Sequence, residues 1–310
     1  MTIITNILVT GGAGFIGSNL IEYLLQCDDD NRNNGYQRKN VNIVSLDNYL
    51  SGKKENHILD ERVQYIQGNT WDAETIFNDE QTFDIIFHFG EYSRIVYSFE
   101  EIKILHQSIL RGTPVILELA RKWNAKVIYS ASSSMMGNNG EDQHLSPYAW
   151  MKSKMIELIK NYHQWYGLSY QICYFFNVYG PRHISEGKYA TVIAIFERQY
   201  KNKEALTIVS PGTQTRDFTH VKDIVSALFE IKDTIHHNHE WYLRYGKSVS
   251  IYELANYFQH KIKMIPERNG ERFNCCDKDN DTQQLLDWKP KYDLEDYIET
   301  FLDSYQDKIK

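Results

Sequence analysis

A doubly wound α/β fold, with a parallel sheet covered by helices on both faces and a smaller C-terminal lobe, is the class this chain predicts. Three observations carry it: a glycine turn between an N-terminal strand and helix, an acidic residue closing the second strand, and apolar strands alternating with helical stretches. The turn is Thr10-Gly11-Gly12-Ala13-Gly14-Phe15-Ile16-Gly17, which follows the apolar run Asn6-Ile7-Leu8-Val9 and opens the helix-like stretch 18–25. Gly11 permits a tight turn, Gly14 lets the backbone approach a pyrophosphate, and Gly17 lets the helix pack close to the strand. The free N–H groups of the helix then face the anion, with Phe15 and Ile16 beside it. Glycine triplets also serve as plain turns; the flanking strand and helix favour a nucleotide cofactor here.

The second strand, 41–46, ends at Asp47. A carboxylate there accepts hydrogen bonds from an adenosine ribose and repels a 2′-phosphate, which favours NAD over NADP; a turn residue is the plainer alternative. Asp47 lies 30 positions after Gly17, against about 20 in the common pattern. The polar stretch 27–35 accounts for the excess as a loop extension. Further strands are expected at 63–66, 83–89, 126–130 and 170–176, with helical stretches at 100–123 and 147–166. Pro114 should begin or kink a helix. Beyond Gly180-Pro181 the pattern loses regularity, which suits the lobe. The expected division assigns 1–178 and about 218–245 to the cofactor domain, and 179–217 and 246–310 to the lobe.

Among the 310 residues, 34 Lys+Arg against 41 Asp+Glu leave a net charge of −7, which argues against a general nucleic-acid binder. No run reaches the length of a membrane span, and the N-terminus enters a strand rather than a signal peptide. Cys27, Cys173, Cys275 and Cys276 are too few and too scattered for a disulfide framework, so a cytoplasmic location is expected. His236-His237-Asn238-His239 reads as a solvated loop after a helix, so no metal is expected.

Tyr148 and Lys152 stand four apart near the start of a helix headed by Ser146-Pro147, and that spacing puts them on one face. An ammonium near a phenol stabilises the phenolate and lowers a pKa that starts near 10, making the tyrosine a usable acid/base. Ser130-Ala131-Ser132-Ser133-Ser134 falls where the fifth strand should end, at the sheet edge where ligands bind. A hydroxyl there can hold the substrate oxygen while Tyr148 moves its proton. Tyr-x-x-x-Lys pairs arise by chance, so the order of the motifs along the chain carries the weight.

In that order the chain resembles the extended short-chain dehydrogenase/reductase family, especially nucleotide-sugar epimerases of the UDP-galactose 4-epimerase kind. The resemblance rests on Thr10–Gly17, Asp47-Asn48, His88-Phe89, Ser130–Gly137, Tyr148–Lys152, Asn177–Arg182, Arg216–Val221 and Trp288-Lys289-Pro290. It implies a Rossmann-like sheet, NAD as cofactor, Ser132 as the catalytic serine, Tyr148 as the acid/base, and Lys152 as the lysine on the nicotinamide ribose. It places Phe176 beside the nicotinamide, and Asn177, Arg216 and Arg268 on the diphosphate of a UDP-sugar. Asn69-Thr70 occupy the adenine position, where relatives often carry Asp and an apolar residue. Glu91-Tyr92-Ser93-Arg94 replaces the usual small-residue and Lys pattern, with Arg94 standing in for a pyrophosphate-binding Lys. Met135-Met136 replaces Val-Tyr, and Ile109 replaces a common Asn. Arg268-Asn269-Gly270-Glu271 resembles the family's Arg-x-Gly-Asp, and the spacing from it reaches Cys275, with Asn274 or Cys276 one residue away. A small residue at that point admits an N-acetyl group that a Tyr would exclude. A homodimer is implied, paired through 100–123 and 147–166; Trp150, Met151, Met155, Ile159 and Trp165 supply apolar surface, with internal packing as the alternative.

Three readings of the reaction lead, C4 epimerisation through a 4-keto sugar, 4,6-dehydration, and a silent NAD-sensing protein, beside other sugar-nucleotide oxidoreductions, decarboxylation and epimerisation elsewhere on the ring. Dehydratases carry an Asp-Glu pair after the catalytic hydroxyl residue, where this chain has Ser133 and Ser134. An intact Ser132, Tyr148 and Lys152 speaks against a sensor.

Overall fold

The computed structural model describes residues 3–33, 39–77, 81–136, 138–268, 270–274 and 281–306. Seven strands form the main sheet: β1 (Ile3–Thr10), β2 (Lys39–Asp47), β3 (Val63–Gln67), β4 (Ile85–His88), β5 (Lys126–Ser132), β6 (Tyr170–Phe175) and, far along the chain, a strand at His239–Leu243. Their spatial order is His239–Leu243, β6, β5, β4, β1, β2, β3, and every pairing is parallel. The order reverses between β1 and β4, which opens a crevice at their carboxyl ends.

Burial on both faces explains the near-continuous apolar strands. One core cluster joins Leu8, Ile86, Val127 and Ile172 to the helices Gly112–Trp123 and Pro147–Tyr166. The opposite one joins Ile7, Val9, Phe87 and Ile128 to the helices Phe15–Asn33 and Val221–Asp233. Alternate residues of each strand feed opposite clusters, so neither face can meet water. Trp241 is fully buried in the last strand and donates its indole N–H to Gln171 at 2.7 Å, which removes the cost of enclosing both polar groups.

The expected helix over 100–123 is interrupted. An α-turn at Ile102–Leu105 passes into a π-helical segment, His106–Arg111, before the α-helix Gly112–Trp123. Pro114 lacks an N–H and its ring crowds the preceding turn, so an uninterrupted ladder across it is disfavoured; the wider turn lies immediately upstream. The helix Pro147–Tyr166 has the predicted boundaries: Ser146 accepts the Ala149 N–H at 3.1 Å, Pro147 opens it, and Gly167 closes it at φ 72°.

The irregular C-terminal half is built on two small sheets. β7 (Asn177–Tyr179) pairs parallel with β9 (Thr215–His220), and β9 pairs antiparallel with β11 (Ser248–Ser250); β8 (Leu206–Val209) pairs with β12 (Ile262–Ile265). The strand at His239–Leu243 is β10 in this order. The helices Val192–Lys201, Ile251–Tyr257 and Leu294–Gln306 enclose a third core around Phe196, Phe258 and Ile298. The segment Arg216–Val221 anchors its surroundings. Asp217, fully buried, accepts from Arg244 Nε at 3.0 Å and from the N–H groups of Tyr245 and Gly246. His220 caps the following helix by accepting the Lys222 N–H. Trp288 is buried and donates to Ser226 at 3.0 Å, tying the late segment to the helix Val221–Asp233.

Candidate active site

The glycine turn and the end of β4 are pressed together at the crevice. A methyl group on Gly11, whose φ is 73°, would lie 2.9 Å from the Phe89 carbonyl carbon, and one on Gly17 would collide with the Gly11 carbonyl. Only glycine allows this approach, and it leaves the first N–H groups of the helix Phe15–Asn33 facing the cavity. Asp47, buried at the end of β2, accepts the Ala13 N–H at 3.0 Å and the Tyr49 N–H at 2.8 Å. Burial pushes its carboxyl above the usual range while those backbone donors pull the other way. The cradle and the acid together fit a dinucleotide carrying a free 2′-hydroxyl.

One cavity of about 620 Å³ runs from this cradle into the C-terminal lobe. Of the residues singled out in the sequence, Gly11, Gly14, Phe15, Ile16, Gly17, Asp47, Asn48, Phe89 and Arg94 line it, as do Ser132, Tyr148, Lys152, Phe176, Asn177, Arg216, Arg268 and Glu271. Asn69 and Thr70 do not line it. Asn69 reaches it only through Asn48, whose amide donates to it at 3.1 Å, and Thr70 is buried against Gly112. Cys275 lies outside the described residues.

At the centre, Tyr148 and Lys152 occupy one face of their helix and are both buried. Ser132 ends β5 opposite them; its Oγ donates to Ser134 Oγ at 3.0 Å and accepts the Ser134 N–H. The Lys152 ammonium goes to partners the sequence did not indicate. It is paired with Glu91, donates to the Ser130 carbonyl and to Tyr129 Oη, and lies 4.4 Å from the centre of the Tyr129 ring. Glu91 also accepts from Thr113 Oγ1 and from Tyr129 Oη.

A buried chain of hydrogen bonds continues from there to the glycine turn. The Thr113 hydroxyl spends its proton on Glu91, so its oxygen accepts from His88 Nε2 at 3.1 Å, and His88 Nδ1 then accepts from Thr10 Oγ1 at 2.7 Å. Thr10 Oγ1 in turn accepts the N–H groups of Phe89 and Gly90. This tautomer requires neutral His88, and burial lowers its pKa from 6.5 to about 4. Within that window the unfolded chain binds a proton at His88 that the folded chain refuses, so stability falls as pH drops through it. The loss from this group approaches about 3 kcal/mol at the acid end. Burial shifts His220 in the same direction, whereas it raises the carboxyls of Asp217 and Asp223, which opposes the trend. Urea unfolding at about pH 7 and about pH 4.5 should therefore show a steeper decline in the wild type than in His88→Gln. Equal declines would refute the assignment.

At the lobe end, Glu271 holds both predicted diphosphate arginines, pairing with Arg216 and, at 2.9 Å, with Arg268. Arg216 also donates to the carbonyls of Thr215 and Arg272. Sequence reading passed over Arg272, which is buried, lines the cavity and donates to the Ser133 carbonyl. Its closeness to Glu271 was the only available signal. Phe176 packs with Arg244, whose guanidinium carbon is 5.3 Å from the ring centre.

The geometry agrees with the comparisons to known proteins. Over 245 residues the chain is 32% identical to UDP-glucuronic acid decarboxylase 6 of Arabidopsis thaliana, covering 73% of this chain and 66% of that one. The crystal structure of UDP-glucose 4-epimerase from Thermotoga maritima with UDP-glucose has a TM-score of 0.85 at 26% identity, covering 99% of this chain and 100% of that chain. UDP-N-acetylglucosamine 4-epimerase from Methanobrevibacter ruminantium M1, solved in complex with UDP-N-acetylmuramic acid, has a TM-score of 0.83 at 28% identity, covering 100% and 99%. Residues 7–241 match the model of the NAD dependent epimerase/dehydratase family, so the chain belongs to that family and is an NAD-dependent enzyme.

Proposed function

We propose that the protein epimerises a UDP-hexose or UDP-N-acetylhexosamine at C4. The observation that carries this reading is one cavity joining the glycine cradle, the Ser132–Tyr148 pair and the Arg216–Arg268 pair, in that order of chemistry. Gly11, Gly14, Gly17, Asp47 and Asn48 would hold NAD, which supplies reversible hydride acceptance at C4. Tyr148 Oη takes the C4 hydroxyl proton and returns it to the 4-keto sugar after that sugar has presented its other face. Ser132 Oγ holds the C4 oxygen in reach. Lys152, on the same helix face and held by Glu91, is placed for the nicotinamide ribose, and Asn177, Arg216 and Arg268 bind the diphosphate, which keeps the 4-keto sugar from escaping. In this reading 179–217 and 246–310 form the sugar-nucleotide lobe.

Dehydration needs a second acid/base beside the sugar. Ser133 and Ser134 provide no carboxylate, and Glu91 is committed to Lys152, Thr113 and Tyr129. NMR of the protein with UDP-sugars decides: a product of unchanged mass inverted at C4 supports epimerisation, whereas loss of water or of carbon dioxide rejects it.

Asp47 gives a second test. Asp47→Ala should weaken NAD binding and narrow the preference over NADP, read by titration of the purified protein with each dinucleotide. Wild-type binding of NADP as tight as NAD would remove Asp47 as the selector.

The protein is proposed to act as a homodimer in which the helix Pro147–Tyr166 meets its counterpart. Met151, Met155 and Ile159 face the core, but Trp150 and Trp165 are 41% and 58% exposed, with Phe99 and Ile102 also uncovered. A monomer in sedimentation at micromolar concentration would exclude it. Among the described residues no helix is long and apolar enough to cross a membrane; a cytoplasmic location is part of this proposal.

A further inference from the structure

The charged groups lining the cavity do not balance. Lys152 is matched by Glu91 and Lys188 by Glu101, while Arg216 and Arg268 share the single carboxylate of Glu271. Among the described residues, two further guanidiniums, Arg94 and Arg272, form no ion pair. Arg94 makes its hydrogen bond to the Ser93 carbonyl at 3.0 Å, and its Nε is sealed from water without a partner. The side chains that feel its charge are Tyr148, Tyr92 and Tyr189, and no carboxylate among the described residues pairs with it. Arg272, 6% exposed, holds the Ser133 carbonyl and likewise leaves its Nε without a partner. Asp142 feels both Arg272 and Arg216.

Arg272 is buried and Arg94 half-buried with its Nε sealed; a cation withdrawn from water without a counter-charge is costly, so it persists where a ligand completes it. Both guanidiniums line the cavity beside the reacting groups, Arg94 near Tyr148 and Arg272 next to Ser132–Ser134. Tyr148 marks where C4 of the sugar must lie. The nearest acid that a hexose can carry to that point is a C6 carboxylate, two bonds from C4. Guanidinium is also the side chain best matched to a carboxylate, through paired N–H donors.

We propose that Arg94, supported by Arg272, forms a carboxylate subsite, and that the hexose of the UDP-sugar is a hexuronic acid. This rests on the C4-epimerase reading and leaves the substituent at C2 open. It also moves Arg94 from the cofactor's pyrophosphate, its expected place from the sequence, to the sugar.

The test compares UDP-glucuronic acid with UDP-glucose, and UDP-N-acetylglucosaminuronic acid with UDP-N-acetylglucosamine, by NMR turnover and by calorimetry on the NAD-loaded protein. At least one uronate should exceed its neutral counterpart by tenfold or more in kcat/KM and in affinity. Arg94→Met should cost that uronate at least tenfold more than the neutral sugar, and Arg94→Lys should retain part of the preference. Neutral sugars turned over as well as their uronates would overturn the subsite and leave the epimerase reading standing, whether or not the variants fold. Equal loss on all four sugars in Arg94→Met would overturn it too, returning Arg94 to the cofactor or diphosphate. If no sugar is epimerised, the epimerase reading falls. The calorimetric preference for a uronate then decides the subsite by itself.

Discussion

Tyr148→Phe should lower kcat by ~10²- to 10⁴-fold while leaving the dissociation constant of the UDP-sugar nearly unchanged. The substitution removes one oxygen from a ring buried in its helix face and keeps the packing. The lost atom is the one that carries the C4 proton, so the deficit belongs in kcat rather than in binding. Arg94 and Tyr129 interact electrostatically with this phenol and would remain in place in the variant. Ser132→Ala should cost less, because it deletes a hydrogen bond to the substrate oxygen and not the proton carrier. Near-wild-type turnover by Tyr148→Phe would remove Tyr148 from the chemistry.

Glu91→Leu should destabilise the protein by about 3–5 kcal/mol, because it strips a buried ammonium of its counter-charge. The Glu91 and Lys152 side chains are 2% and 3% exposed, so water cannot take over. The hydroxyls of Thr113 and Tyr129 lose their acceptor at the same time. Glu91→Gln keeps an acceptor of the same shape and should lie between the wild type and Glu91→Leu. Urea denaturation reads the order directly; a Glu91→Leu midpoint within about 1 kcal/mol of wild type would show that the pair contributes no net stability. The contrast with the exposed Lys154–Glu157 pair is instructive. Its side chains are 38% and 59% exposed, and breaking it should cost less than about 1 kcal/mol.

The two variants probe parts of one site that differ in how far the sequence disclosed them. Tyr148 and Lys152 were legible because the relation between them is local: four residues on a capped helix share a face in any fold. Ser146 and Pro147 carried the start of the helix for the same reason. Glu91 appeared in the sequence as a departure from a pattern and as a carboxylate that could serve dehydration, never as the partner of Lys152. Its partner lies 61 positions away, and only the β4–β5 pairing and the helix Pro147–Tyr166 bring the two together.

The glycine turn, Asp47 and the parallel alternation were thus determined by sequence alone, since backbone sterics and strand burial leave few residue types able to serve there. Tertiary structure decided the rest. It placed β10 as a seventh strand beside β6, though nothing in His239–Leu243 names that partner. It joined β7 to β9 and β11 across long loops, buried Thr70 away from the cavity, and turned Met155 inward while leaving Trp165 in water. It also set Arg94 and Arg272, 178 positions apart in the chain, in the wall of one cavity. Long-range pairing is chosen by the summed burial of whole faces, and no single residue carries that sum.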